Sequence, residues 1–138
     1  GDVRTWLDLR RVYEQWRDSM PVSVLRAELR VPFAQANVPY TDTLISKLFT
    51  VLTLNKEDVA VPDIDKGAAL YNGYYNRKEG YFSLNLTYTI QGLLLGQLPE
   101  HRVALFGDSR YYGFGRAIIA NGRSTPQPMQ LIITYTKN

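Results

Sequence analysis

A chain whose side chains alternate apolar and polar at every second residue is committed to extended strands with one face on a core. Residues 24–31 read Val-Leu-Arg-Ala-Glu-Leu-Arg-Val. In a regular strand Leu25, Ala27, Leu29 and Val31 share one side, and Arg26, Glu28 and Arg30 share the other. The pattern predicts a half-buried strand with a charged outer face. Residues 81–86 repeat it with Phe82, Leu84 and Leu86 inward. Residues 129–136 do so with Met129, Leu131, Ile133 and Tyr135 on one side. Residues 48–54 and 103–106 are apolar on both parities and read as central strands; shorter candidates are 3–7, 69–71 and 116–119.

Two segments have a helical period instead. Leu9, Val12, Tyr13, Trp16 and Met20 form one stripe, with Asp8 as a candidate N-cap and Pro21 as a stop. Ile90, Leu93 and Leu94 form a shorter one, with Thr87 or Thr89 as candidate caps and Gly96 as the terminator. Helices are expected near residues 9–20 and 88–95, covering an open end or edge of a sheet. Turn residues separate the strands, among them Asn72-Gly73, Glu79-Gly80 and Asn121-Gly122. Short strands joined by polar loops predict an all-β fold: an antiparallel, jelly-roll-like β-sandwich of about eight strands with one or two short helices. Its inner faces are expected to hold Leu25, Leu29, Leu48, Leu52, Leu84, Leu86, Val103, Leu105, Leu131 and Ile133.

The 138 residues suffice for one domain, with no linker inside 1–138. No apolar run approaches the length that spans a bilayer as a helix. The abrupt start at Gly1 reads as one domain trimmed or cut from a longer protein. Sixteen Lys and Arg stand against thirteen Asp and Glu, scattered apart from the pairs Arg10-Arg11 and Arg77-Lys78. Nucleic-acid binders concentrate such charge, so no nucleic-acid partner is expected. With no Cys, disulfides and thiolate chemistry are excluded.

The later half carries Gly73-Tyr74-Tyr75, then residues 81–87 (Tyr-Phe-Ser-Leu-Asn-Leu-Thr), Ile90-Gln91-Gly92-Leu93-Leu94, residues 102–107 and a closing 131–136. Upstream, Leu25-Arg26-Ala27-Glu28-Leu29 fits the opening strand of the same pattern. Over roughly residues 22 to 136 the chain resembles a family of uncharacterised secreted lipoproteins of Bacteroidetes, and looks like extracellular carbohydrate-binding-like sandwich modules. The resemblance implies a sandwich exported to the periplasm or the outer-membrane surface. It implies contact with the membrane only through a lipid anchor outside this chain. It transfers no active site.

Catalytic constellations are incomplete. Phe106-Gly107-Asp108-Ser109 matches the nucleophile block of Gly-Asp-Ser esterases, but the single histidine, His101, precedes Ser109, and no His, Asp or Glu follows it. A serine hydroxyl without a base stays protonated and weakly nucleophilic. A Gly-Asp-Ser bend after a strand accounts for the same letters. Asp58, Asp63 and Asp65 form the densest acidic group, yet lack the spacing of a helix–loop–helix calcium site and read as turn residues. No cofactor and no metal are expected, and the chain is read as no enzyme.

The aromatic content points elsewhere. Ten Tyr, five Phe and two Trp are present, and several gather in loop-like stretches. Tyr joins a flat apolar face to a polar tip, which suits wet recognition surfaces. The candidate ligand-binding set is Tyr74, Tyr75, Asn76, Arg77, Asp108, Arg110, Tyr111, Tyr112 and Phe114. The expected function is a non-catalytic exported module binding a glycan or a cell-surface protein through these loops. A structural or assembly domain without a ligand is the alternative, and a hydrolase built on Ser109 ranks last.

Overall fold

A computed structural model describes residues 5–32, 48–65, 73–76, 78–106 and 129–137. Among them lie eight strands: β1 (Thr5–Asp8), β2 (Val22–Pro32), β3 (Phe49–Leu54), β4 (Glu57–Ala60), β5 (Tyr75–Asn76), β6 (Tyr81–Asn85), β7 (Arg102–Phe106) and β8 (Gln130–Lys137). Helices are α1 (Arg10–Trp16), α2 (Pro62–Asp65) and α3 (Thr87–Leu94). The strands form two antiparallel sheets. Sheet A has the order β1-β7-β3-β4 and sheet B the order β5-β6-β2-β8. The chain passes back and forth between the sheets, and the fold is the expected all-β sandwich. The expected strands at 69–71 and 116–119 lie outside the described residues.

One core joins both inner faces. Ala27, Leu29, Val31, Phe82 and Leu84 come from sheet B, Leu52, Val103 and Leu105 from sheet A, and Leu86, Ile90, Leu93 and Leu94 from α3 and its entry. Leu131 and Ile133 are partly buried against this core, as an outer strand of a sheet allows. Leu25 departs from its expected inward place and is 58% exposed. The β2–β8 register pairs Val24 with Tyr135 and Arg26 with Thr134, leaving Leu25 as the extra residue of a β-bulge. The bulge shifts the alternation by one position: Val22 is buried before it, and Ala27, Leu29 and Val31 after it.

The charged side of β2 folds into a bonded cluster. Glu28 is buried and accepts hydrogen bonds from Ser83 Oγ at 2.5 Å and Arg30 Nε at 2.7 Å, with Arg26 at 3.7 Å. Burial alone would push the Glu28 carboxyl up. The Ser83 and Arg30 hydrogen bonds and the charges of Arg30 and Arg26 outweigh it, holding the group below its ordinary value.

Helix α3 takes over where β6 ends. β6 pairs with β2 only over Glu28 to Pro32, so earlier β2 amides need other acceptors. The Gln91 side chain accepts from Val24 N at 2.7 Å, and Thr87 Oγ1 accepts from Ala27 N at 3.0 Å. Two helical side chains thus stand in for a missing strand, and the expected covering of a sheet edge has a definite chemistry. The C-terminus of α3 is a Schellman motif: Gly96 N donates to Leu93 O and Gln97 N to Gly92 O, with Gly96 at φ +72°.

β4 was not among the predicted strands. It pairs with β3 through a two-residue hairpin in which Asn55 and Lys56 have φ of 53° and 67°. A turn with both central residues left-handed favours Asn-Gly. Lys56→Gly is therefore expected to stabilise the domain by about 1 kcal/mol, by relieving a β-carbon's left-handed strain. A urea titration would show the midpoint rising; a midpoint unchanged or lowered would count against this turn geometry.

Candidate functional site

The aromatic segment chosen from sequence divides three ways. Tyr74 is 47% exposed. Tyr75 lays its ring on buried Phe82, with centroids 4.9 Å apart, and serves the margin of the core. Asn76 shapes the β5–β6 turn: its Oδ1 accepts from Glu79 N at 3.0 Å and its carbonyl from Gly80 N at 2.8 Å. Arg77, Asp108, Arg110, Tyr111, Tyr112 and Phe114 lie outside the described residues, as does Ser109.

A second group of rings assembles on the outer face of sheet A, and the register explains why. Val103 and Leu105 point into the core, so Arg102, Ala104 and Phe106 face outward. Ala104 is flanked by Trp6 on β1 and Val51 on β3, Phe106 faces Phe49, and Arg102 faces Asp8. Phe49 and Phe106 stack with centroids 5.5 Å apart and planes 22° from parallel. The Arg102 guanidinium sits 4.9 Å from the Trp6 ring centroid, within cation–π range. Trp6 is nevertheless 41% exposed and Phe49 43%. Ala104, cross-strand from both Trp6 and Val51, has no exposed surface.

At the β1–α1 end this face meets a polar cleft of about 590 Å³, lined by Asp8, Arg10, Pro99, Glu100, His101 and Arg102. Two features hold it in shape. Leu9 N donates to the His101 carbonyl at 2.6 Å, tying the start of α1 to the start of β7. Asp8 Oδ1 accepts from Arg10 N at 2.9 Å, but the N-cap position of α1 is Leu9, one residue later than expected. The His101 ring stacks on Tyr13 with centroids 5.0 Å apart, and Arg102 Nη2 lies 3.8 Å from Glu100 Oε2. Arg102 belongs to both parts, bordering the cleft and the Trp6 ring.

Of the acids grouped in the sequence, Asp63 has a structural role. Asp63 is buried and spends both oxygens on α3, accepting from Tyr88 N at 2.8 Å, Thr89 N at 2.9 Å and Thr89 Oγ1 at 2.6 Å. Asn85, not Thr87 or Thr89, accepts the Thr87 amide at 3.1 Å. Among the described residues, no three His, Asp or Glu side chains come together as a metal-binding group. Compared with protein-family models, curated proteins and solved structures, the chain matches none.

Sequence reasoning missed Trp6, Phe49, Arg102 and Phe106 as a unit. Arg102, Ala104 and Phe106 do share a parity, but their meeting with Trp6 and Phe49 depends on which strands become neighbours.

Proposed function

We propose that this domain is a non-catalytic binding module, exported to the periplasm or surface of a bacterium, that holds a glycan or a surface protein against the outer face of sheet A. The single observation that carries the binding site is Trp6, an exposed ring braced by Arg102 at the rim of a polar cleft. An indole face offers apolar surface to the C–H side of a sugar or to an apolar side chain, while the adjoining charged groups supply hydrogen bonds. Arg102 limits the motion of the ring, which lowers the ordering cost of binding. Export and surface display rest on the resemblance carried by residues 22 to 136. Tyr74 provides an exposed ring on sheet B and is the described remainder of the Tyr-rich surface.

The test is a glycan array, followed by calorimetric titration of any hit, with wild type, Trp6→Ala and Tyr74→Ala. Calorimetry is used because Trp6→Ala removes the ring at this face and Trp16 packs on Tyr135 of sheet B. Trp6→Ala is expected to weaken binding about tenfold or more, as loss of about 1.4 kcal/mol of ring contact implies. Hits that survive Trp6→Ala undiminished, or a wild-type array without hits, would remove this face from consideration as a glycan site. Unchanged circular dichroism of the variant separates lost contact from lost fold.

A further inference from the structure

Resting on the reading that the Trp6 face binds saccharide, we infer that its ligand is an uncharged, polyhydroxylated chain. It lies along β7 with one end in the cleft of Asp8, Arg10, Glu100, His101 and Arg102. The charge of that cleft is balanced. Two guanidiniums, on Arg10 and Arg102, face two carboxylates, on Asp8 and Glu100. The balance is also local, since Arg102 Nη2 lies 3.8 Å from Glu100 Oε2. An anionic ligand entering here meets the two carboxylates and displaces Arg102 from its partner. A cationic ligand meets the two arginines. A neutral hydroxyl both donates and accepts, so it satisfies carboxylate and guanidinium side by side without leaving a buried charge unpaired.

The geometry also favours a chain over a single ring. From the cleft, β7 runs from Arg102 past Ala104 to Phe106, which at roughly 3.3 Å per residue spans about 13 Å. Along that line come polar groups, then the exposed Trp6 ring opposite buried Ala104, then the Phe49–Phe106 stack. Alternating polar and aromatic contacts over that length match successive sugar units, which present hydroxyls at their edges and C–H groups on their faces.

The experiment is affinity electrophoresis of the whole chain through gels cast with soluble neutral polysaccharides (a glucan, a xylan, a galactomannan) and with polyuronates. Wild type, Trp6→Ala and Arg102→Ala run side by side. Retardation by at least one neutral polymer is expected, with affinity lowered about tenfold in each variant. Changing salt from about 50 to about 500 mM should alter it less than twofold, because no net charge is neutralised on binding. Retardation by polyuronates alone, falling steeply with salt, would overturn the neutral-ligand inference while leaving a binding face at Trp6 intact. No retardation by any polymer overturns both. Neutral binding that Arg102→Ala leaves unchanged would sever the cleft from the site.

Discussion

Gly73→Ala is expected to cost about 3 kcal/mol or more of folding stability, more than the same change at any other glycine among the described residues. Two independent causes act together. The residue sits at φ +82°, where a β-carbon is strained. That β-carbon would also lie 2.0 Å from the carbonyl oxygen of Leu48, with further backbone atoms of Leu48 at 3.1 and 3.3 Å. Backbone cannot swing aside as a side chain can. Gly73 is bonded on both sides at this point: its carbonyl accepts from Leu48 N at 2.8 Å and its amide donates to Ser83 O at 2.9 Å. Leu48 leads into β3 of sheet A and Ser83 belongs to β6 of sheet B, so the glycine is a backbone link between the layers. Making room for the methyl strains or breaks both bonds, each worth about 1 kcal/mol. In urea the midpoint should fall by about 1–3 M. Gly96→Ala is the control. Gly96 has φ +72° but nothing within 4 Å of the added carbon, so it should lose only the conformational part, about 1 kcal/mol. Equal losses at the two glycines would show that the close approach to Leu48 is relieved at no cost.

Asp63→Ala should be next in severity, at about 3 kcal/mol. Its carboxylate is 1% exposed and receives three hydrogen bonds at the N-terminus of α3, where the helix dipole also favours negative charge. Loss of an N-cap acceptor typically costs about 1 kcal/mol. Here truncation also strands the fully buried Thr89 hydroxyl and two amides, and an unsatisfied buried donor costs about 1–3 kcal/mol. Helix α3 holds the Gln91 and Thr87 contacts to β2, so the damage reaches the sheet edge. Asp63→Asn keeps one acceptor oxygen and should fall between wild type and alanine. Thermal unfolding followed by circular dichroism orders the three proteins. An alanine variant as stable as wild type would mean that water or another side chain replaces the cap.

The roles of these two residues are not legible along the chain. Asp63 stood in a group of acids that suggested a loop, and its partners lie 25 and 26 residues further along the chain. Gly73 was recognised as a turn residue, whereas its decisive neighbour is Leu48, outside the turn. The alternation in 81–86 is enough to place Phe82 and Leu84 in the core, and the apolar run 103–106 marks a central strand that holds Val103 and Leu105. The same rule misplaced Leu25, because a bulge interrupts alternation without any change in composition. Tyr75 and Asn76, which composition marks as ligand candidates, pack on the core and close the β5–β6 turn.

Fold class and most of the core are legible along the chain, because side-chain direction in a strand is a local property that repeats every two residues. Neighbour relations between strands were decided only in three dimensions. Trp6 meets Arg102, and Phe49 meets Phe106, through antiparallel registers that join segments far apart along the chain. Such registers follow from how two sheets and a helix bury their apolar faces together, and that joint condition is carried by no single stretch of residues.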